Sequence, residues 1–521
     1  MFQGLAVVLP KPIVNRSDLR RRWLAPLSLA LMAALGAPTL SSAQLPALGD
    51  GEGMTLGAER RLGDQIAREL YRDPDYLDDP VLQEYVEGIW QQLIQAARQR
   101  GELTPDQDER FAWQVLLGKD RQVNAFALPG GYMGVYLGLI AIVANRDELA
   151  SVLGHELSHI TQRHISRMMS KDSQQTPLLV AALILAALAA SKSPDAASAL
   201  VVGGQALTVQ NQLKFSRDME READRVGYGV MTQAGFDGQG FVTMFDKLQQ
   251  ASRLNDNGAY PYLRSHPLTT ERIADMQARQ ELRPGSKGVV PTTLEHALIM
   301  ARARAISADN IELQRQRQAE PDGAAFRQQP PVRQAQALYG AALASMQLRD
   351  WQKARDAVNR LQPLVQSSPE ALRLQRLLVA ELDLATGKPA TAAALPMGAE
   401  VRRPELLLGT QGRLALGGLD PAEQTAEALQ TWVTVHPHDG TAWQWLSRAW
   451  GAAGKPLRSL RAEAEAQVAH FDYSGAMDRF KAAQDMVRRG GSAGADHVEA
   501  SIIDARTREV ASLLREQAAQ R

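Results

Sequence analysis

Leu149-Ala150-Ser151-Val152-Leu153-Gly154-His155-Glu156-Leu157-Ser158-His159-Ile160-Thr161-Gln162-Arg163-His164 is the stretch whose reading decides the fold. Its pattern predicts one helix from Glu148 to Met169. On a helix, residues four apart lie on the same face, so His155 and His159 offer two imidazoles to one metal ion. Glu156 sits one step round, beside that ion. Zinc suits this set: two neutral imidazoles, a third protein ligand from elsewhere and one open position for water. The neighbouring carboxylate can then take a proton from that water. His164 falls five residues past His159, one short of the extended pattern, and Gln162 stands where that pattern needs glycine. It reads as a helix-surface residue or as a support behind the ligands.

Working outward toward the C-terminus, Ser216-Arg217-Asp218-Met219-Glu220-Arg221-Glu222-Ala223-Asp224 predicts a charged helix with Glu220 and Asp224 on one face. That face is either solvated or supplies the missing carboxylate ligand, Glu220, with Asp224 fixing an imidazole by a hydrogen bond. His266 lies in the loop Leu263-Arg264-Ser265-His266-Pro267, ahead of a helix capped by Thr269 or Thr270 and carrying Arg272. Toward the N-terminus the period changes. Phe111–Leu117, Asn124–Leu128 and Tyr132–Tyr136 read as short strands around the turn Pro129-Gly130-Gly131. They predict a small, mostly antiparallel sheet, either an ordinary hairpin or one whose edge binds an extended peptide. Residues 57–99 predict two helices, broken at Asp73-Pro74-Asp75.

The 521-residue chain is too long for one core, and its 58 basic and 58 acidic residues give no bias toward nucleic acid. It has no cysteine, which removes disulfides and thiolate-ligated zinc. Residues 1–43 predict a signal peptide: four arginines, an apolar run from Trp23 to Leu35, then Ser41-Ser42-Ala43, with cleavage after about Ala43. The alternative is an uncleaved anchor. Without this segment 53 basic and 57 acidic residues remain, a net of −4, as for a soluble exported protein. Leu178–Ala190 is apolar but too short to span a bilayer, and Ala199–Val209 is apolar again. Residues 178–209 read as a buried core hairpin, or as a flap or patch that makes peripheral contact with a membrane or with unfolded clients.

The ordered set Asn124-Ala125-Phe126 with Pro129-Gly130-Gly131, His155-Glu156-Leu157-Ser158-His159, Glu220-Arg221-Glu222-Ala223-Asp224, and Ser265-His266-Pro267 with Arg272 resembles a zinc peptidase family. That family includes the CAAX prenyl endopeptidase and the heat-shock membrane protease, and the likeness is greatest to its periplasmic subgroup with C-terminal tetratricopeptide repeats. The resemblance implies a mainly α, zincin-like metalloprotease domain with a small antiparallel sheet, followed by an α-solenoid. It implies one Zn2+ on His155, His159 and Glu220, with Glu156 as general base. It further implies Asp224 and Arg272 behind the ligands, and Gly131, Tyr132, Met133 and Gly134 in the substrate-aligning edge strand. His266 looks like the loop histidine that fills the open zinc position in a latent state.

The expected divisions are a signal peptide (1–43), a metalloprotease domain (44–285), a helical linker (286–331) and a repeat domain (332–521). Repeat-like blocks occur at Leu338–Leu361, Glu370–Pro389, Trp443–Ser459 and Phe471–Ala483. A solenoid presents a concave surface for protein segments. The resemblance implies the periplasm as location and misassembled outer-membrane proteins and their β-barrel assembly machinery as partners. The leading expectation is an endopeptidase and chaperone in outer-membrane protein quality control. The alternatives are a repeat-based scaffold with a latent protease site and, third, a helical protein without metal.

Overall fold

A computed structural model of the chain describes residues 54–170, 184, 215–253, 260–281, 290–308, 310–398, 400–490 and 496–519. The expected signal peptide and, apart from Ile184, the apolar segment 178–209 lie outside the described residues. No helix among the described residues is long and apolar enough to cross a membrane.

The expected N-terminal helices form at Leu56–Arg72 and Pro80–Arg100, with Thr55 and Asp79 accepting from the backbone N–H groups of Ala58 and Leu82 at their starts. Leu82, Val86, Ile89, Leu93 and Ile94 are all buried, as their helical spacing requires.

The four strands are β1 (Tyr76–Leu77), β2 (Gln114–Gly118), β3 (Ala125–Leu128) and β4 (Tyr132–Tyr136), in the order β1-β2-β4-β3. β3 and β4 form the antiparallel hairpin, Ala125 opposite Val135 and Leu128 opposite Tyr132. Gly130 (φ 72°) and Gly131 (φ 86°) turn it, in backbone space that side chains disfavour. Two of the three strand pairings are antiparallel, in line with the mostly antiparallel expectation, and the third makes the sheet mixed. The connection from Gly118 to Ala125 places β3 one strand away from β2, and β4 fills the gap, parallel to β2. One expectation is corrected by this order. Gly131 closes the turn, while Tyr132, Met133 and Gly134 lie in β4, paired on both sides and fully buried. They are an interior strand, and the edge belongs to β3.

The motif helix runs Arg146–Thr161, with the Asn145 side chain accepting from Glu148 N. It does not continue to Met169 as expected. Arg163 takes φ 53°, anchored by Glu59 at 3.0 Å, and a new helix begins at His164. The charged helix forms at Arg217–Gln233 and crosses the motif helix where Gly154 and Gly227 meet. A Cβ on Gly227 would lie 2.9 Å from the backbone of Gly154 and His155.

Beyond residue 290 the molecule is a succession of packed helices. Leu294–Ile306 lies in the expected linker, yet Ala297 to Ala303 are buried. Its apolar residues share one core with the helix Pro80–Arg100, the motif helix and the helices up to Leu408. The later helices form antiparallel pairs, including Pro331–Gln347 with Trp351–Val365 and Gly440–Ala452 with Pro456–Ala469. The pair Arg403–Leu416 and Leu419–Val435 falls where no repeat was read from the sequence. Phe471 and Tyr473 return to pack with Leu62, Ile66 and Tyr132 at the start of the chain.

Three arginines tie the helical repeats to the segment 78–84. Arg302 bridges Asp79 (2.7 Å) and Glu381 (2.8 Å). Arg373 bridges Glu84 (2.7 Å) and Glu405 (2.5 Å). Arg403 bridges Asp78 (2.6 Å) and Asp439 (2.8 Å).

Candidate metal centre

The motif helix puts His155 and His159 on its buried face, with their Nε2 atoms 3.0 Å apart. The Gly154–Gly227 crossing brings the neighbouring helix close enough for Glu220 to join them. Its Oε2 is 3.6 Å from His155 Nε2 and its Oε1 is 3.5 Å from His159 Nε2. His266 arrives from the end of the short helix Tyr262–Ser265, which is tied to the connection ahead of β3 through Tyr262 N donating to Val123 O. Its Nδ1 is 3.3 Å from His155 Nε2 and 3.0 Å from Glu220 Oε1. One donor atom from each of the four lies within 4.8 Å of all the others, and all four side chains are buried.

These residues fit a tetrahedral cation. Zn–N bonds of 2.0–2.1 Å imply ligand atoms about 3.3 Å apart, and five of the contacts among these residues, counting either Glu220 oxygen, are 3.0 to 3.6 Å. Three imidazoles and a carboxylate are the donor set that zinc favours. Buried groups facing each other at these distances repel unless a cation or protons lie between them.

Each donor is held from behind. His155 Nδ1 is 2.9 Å from Asp224 Oδ1. Asp224 is gripped by Arg272 through Nε at 2.6 Å and Nη2 at 2.7 Å. A third Arg272 nitrogen reaches Glu220 Oε2 at 2.7 Å and also donates to Pro267 O. Arg272 is thus fully committed to the carboxylates and is not available to an oxyanion in the site. His159 Nδ1 lies 2.9 Å from His164 Nδ1, and His164 Nε2 lies 3.1 Å from Glu222. The break at Arg163 turns His164 inward, and it is fully buried. Phe215 stacks on the His159 ring at 3.8 Å and Tyr262 on His266 at 4.6 Å.

The electrostatics follow from this packing. Burial pushes His155 down, but its contacts with Asp224 and Glu220 outweigh it and hold the imidazole up at about 9. Burial, reinforced by the neighbouring His155, keeps His159 well below the usual histidine range. Burial raises the Glu220 carboxyl, yet the charges and hydrogen bonds of His266 and His155 overcome it and leave Glu220 well below the ordinary range. Burial likewise lowers His164, to about 4.

Glu156 is fully buried beside the cluster. Its Oε2 accepts from Ala127 N of the edge strand β3 at 2.8 Å. Its Oε1 accepts no hydrogen bond among the described residues, and His266 Nε2 is 3.4 Å away. One oxygen is therefore anchored and the other is free on the metal side.

Sequence reading named His155, Glu156, His159, Glu220, Asp224, His266 and Arg272, and the structure gathers all seven in one place. It removes Gly131 to Gly134 from the substrate edge, for the reason given above. It missed Phe215, Tyr262 and Ala127 N, which carry no chemical signature in sequence. The inward turn of His164 had only a faint signal, in Gln162-Arg163.

The model of peptidase family M48 matches residues 80–280. The chain is 30% identical over 481 residues to the beta-barrel assembly-enhancing protease of Escherichia coli, covering 91% of this chain and 94% of that protein. It is 29% identical over 430 residues to the protein of the same name from Yersinia pestis, covering 81% and 83%. It is also 34% identical over 164 residues to the mitochondrial metalloendopeptidase OMA1 of Arabidopsis thaliana, about a third of each chain. A matched family model spanning the whole metal centre, and a relative aligned along nearly its full length, make this chain a metal-dependent member of peptidase family M48.

Proposed function

We propose that this peptidase is a zinc endopeptidase of the periplasm that cleaves misassembled outer-membrane β-barrel proteins. His155, His159 and Glu220 are the zinc ligands. The observation that carries the reading is the buried four-donor cluster beside a carboxylate with one free oxygen. Zinc bound there would polarise a peptide carbonyl and make water acidic enough to ionise near neutral pH. Glu156, anchored through Ala127, takes the proton from attacking water on Oε1 and returns it to the leaving amine. Asp224 and His164 orient His155 and His159 through their second ring nitrogens. The substrate main chain aligns along β3, whose outer edge carries no strand among the described residues.

His266 completes a set of four donors, which supports a resting state in which the place for water is filled. Opening then requires the segment around His266 to move. The helix pairs beyond residue 331 read as tetratricopeptide repeats that hold clients and dock on the β-barrel assembly machinery. The names of the relatives support this assignment. Residues 1–43 are the export signal, removed after about Ala43. The segment 178–209 is the proposed site of peripheral membrane contact.

The test uses purified protein, its metal content and an unfolded outer-membrane substrate. About one zinc per chain is expected. Glu156→Gln should keep the metal and lose about 10²–10⁴-fold in cleavage rate; unchanged cleavage would refute the assignment. The same variant separates a second reading, favoured by His266 standing among the donors. If Glu156→Gln still restores outer-membrane assembly in a deletion strain, scaffolding is the main activity.

A further inference from the structure

Away from the metal centre, a cavity of about 360 Å³ opens among the helices Leu294–Ile306, Ile311–Ala319 and Pro331–Gln347. Three guanidinium groups line it, those of Arg304, Arg317 and Arg333, and among the described residues the only acid in its wall is Glu320. The contrast with the other arginines of this region is sharp. Arg302, Arg373 and Arg403 each grip two carboxylates. Among the described residues, no carboxylate lies within ion-pair distance of Arg304, Arg317 or Arg333. Arg304 Nε donates to Ala141 O at 2.8 Å, and Arg333 Nη1 donates to Gln336 Oε1 at 2.9 Å. Arg317 Nη1 is buried and has no hydrogen-bond partner among the described residues.

Burial and the charge of Arg333 hold the Arg304 guanidinium below its ordinary range; burial and the charge of Arg304 do the same to Arg317. Cations that destabilise one another in a concave site focus positive potential into it. A buried donor without an acceptor calls for a missing partner. Three arginines against one glutamate leave two positive charges in excess, which match a dianion. Planar guanidinium forks pair best with phosphate and carboxylate oxygens. The volume lies at the small end of the range for small-molecule sites, about 300–1,000 Å³, and leaves room for a phosphate with its ester group.

We propose that this cavity binds a phosphate-class anion, held by Arg304, Arg317 and Arg333. Free phosphate and phosphomonoesters carry both charges, whereas the phosphodiester headgroup of phosphatidylglycerol presents the same phosphate oxygens with one, and the test distinguishes them.

Full-length protein, Arg317→Gln and Arg333→Gln are titrated calorimetrically with inorganic phosphate against chloride at matched ionic strength. Each is also floated with vesicles of phosphatidylglycerol or phosphatidylcholine. Phosphate should bind the wild type, about tenfold or more weakly in either variant. Binding to phosphatidylglycerol vesicles alone, lost in both variants, assigns the site to a lipid headgroup. No binding of either probe to the wild type overturns the proposal, as does equal binding by wild type and variants. Arg333 is exposed at the rim, so its variant keeps the fold and the test stands if Arg317→Gln does not fold. Glu156→Gln should bind phosphate like the wild type, so failure here is distinguishable from failure of the peptidase assignment.

Discussion

At the scale of single residues, the centre depends on groups that never meet a substrate. His155 is fixed by Asp224, Asp224 by Arg272, and His159 by His164 and Phe215. Loss of a hydrogen-bonded partner behind a ligand typically weakens metal affinity or activity 10–100-fold. His164→Ala should therefore weaken zinc retention by about that factor, measured by competition with a chelator. A variant that holds zinc as tightly as the wild type would show that the contact between the two rings is incidental. The alternative in sequence, a helix-surface His164, would predict no change.

At the scale of elements, the site exists because two helices approach closely at Gly154 and Gly227. A methyl group at Gly227 would fall 2.9 Å from backbone atoms that cannot yield. Gly227→Ala should cost about 1–3 kcal/mol in stability, read by denaturant unfolding. It should also weaken metal binding, because Glu220 sits on the helix that is pushed away. Stability lost with metal affinity intact would mean that the helix relaxes elsewhere. The helix Leu294–Ile306 has its own sensitivity, to pH. His296 is buried between the Tyr85 hydroxyl (2.7 Å) and Val143 O (2.9 Å), a setting that suits the neutral ring, and burial lowers its pKa. The unfolded chain takes up this proton more readily than the folded one. Its contribution is therefore intact above about pH 6.5 and declines as pH falls below it. Unfolding curves at pH 7.5 and 5.5 should differ more for the wild type than for His296→Gln. An equal pH dependence in both would discount the histidine.

At the scale of the whole molecule, one apolar core runs from Val81 to Leu408, across the boundaries expected at 285 and 331. The segment expected as a linker is the seam of that core. Arg302, whose side chain is only 6% exposed, is pinned there between Asp79 and Glu381. Arg302→Met would leave two carboxylates facing each other in a buried place, a loss of about 3–5 kcal/mol. Because the core is shared, calorimetry should show the peptidase part and the adjoining helices of the wild type unfolding in one transition. Two separated transitions would mean that the seam contributes little.

The sequence alone determined the chemistry of this protein. His155, Glu156 and His159 share one helical register, Glu220 and Asp224 share another, and helical periodicity is a local property that spacing reveals. It located the hairpin turn for the same reason, since Pro129-Gly130-Gly131 encodes its own backbone angles. It also read helices for most of the second half. Only the tertiary structure decided which strand is the edge, because strand order depends on how Lys119–Asn124 crosses the sheet and not on any strand's own residues. It alone brought Phe215 and Tyr262 to the metal centre and turned His164 inward. It merged the expected linker into the core, and among the described residues it left Arg304, Arg317 and Arg333 facing one cavity with a single acid, Glu320, in its wall. Such long-range neighbours are set by packing between segments far apart in the chain, where residue spacing carries no signal.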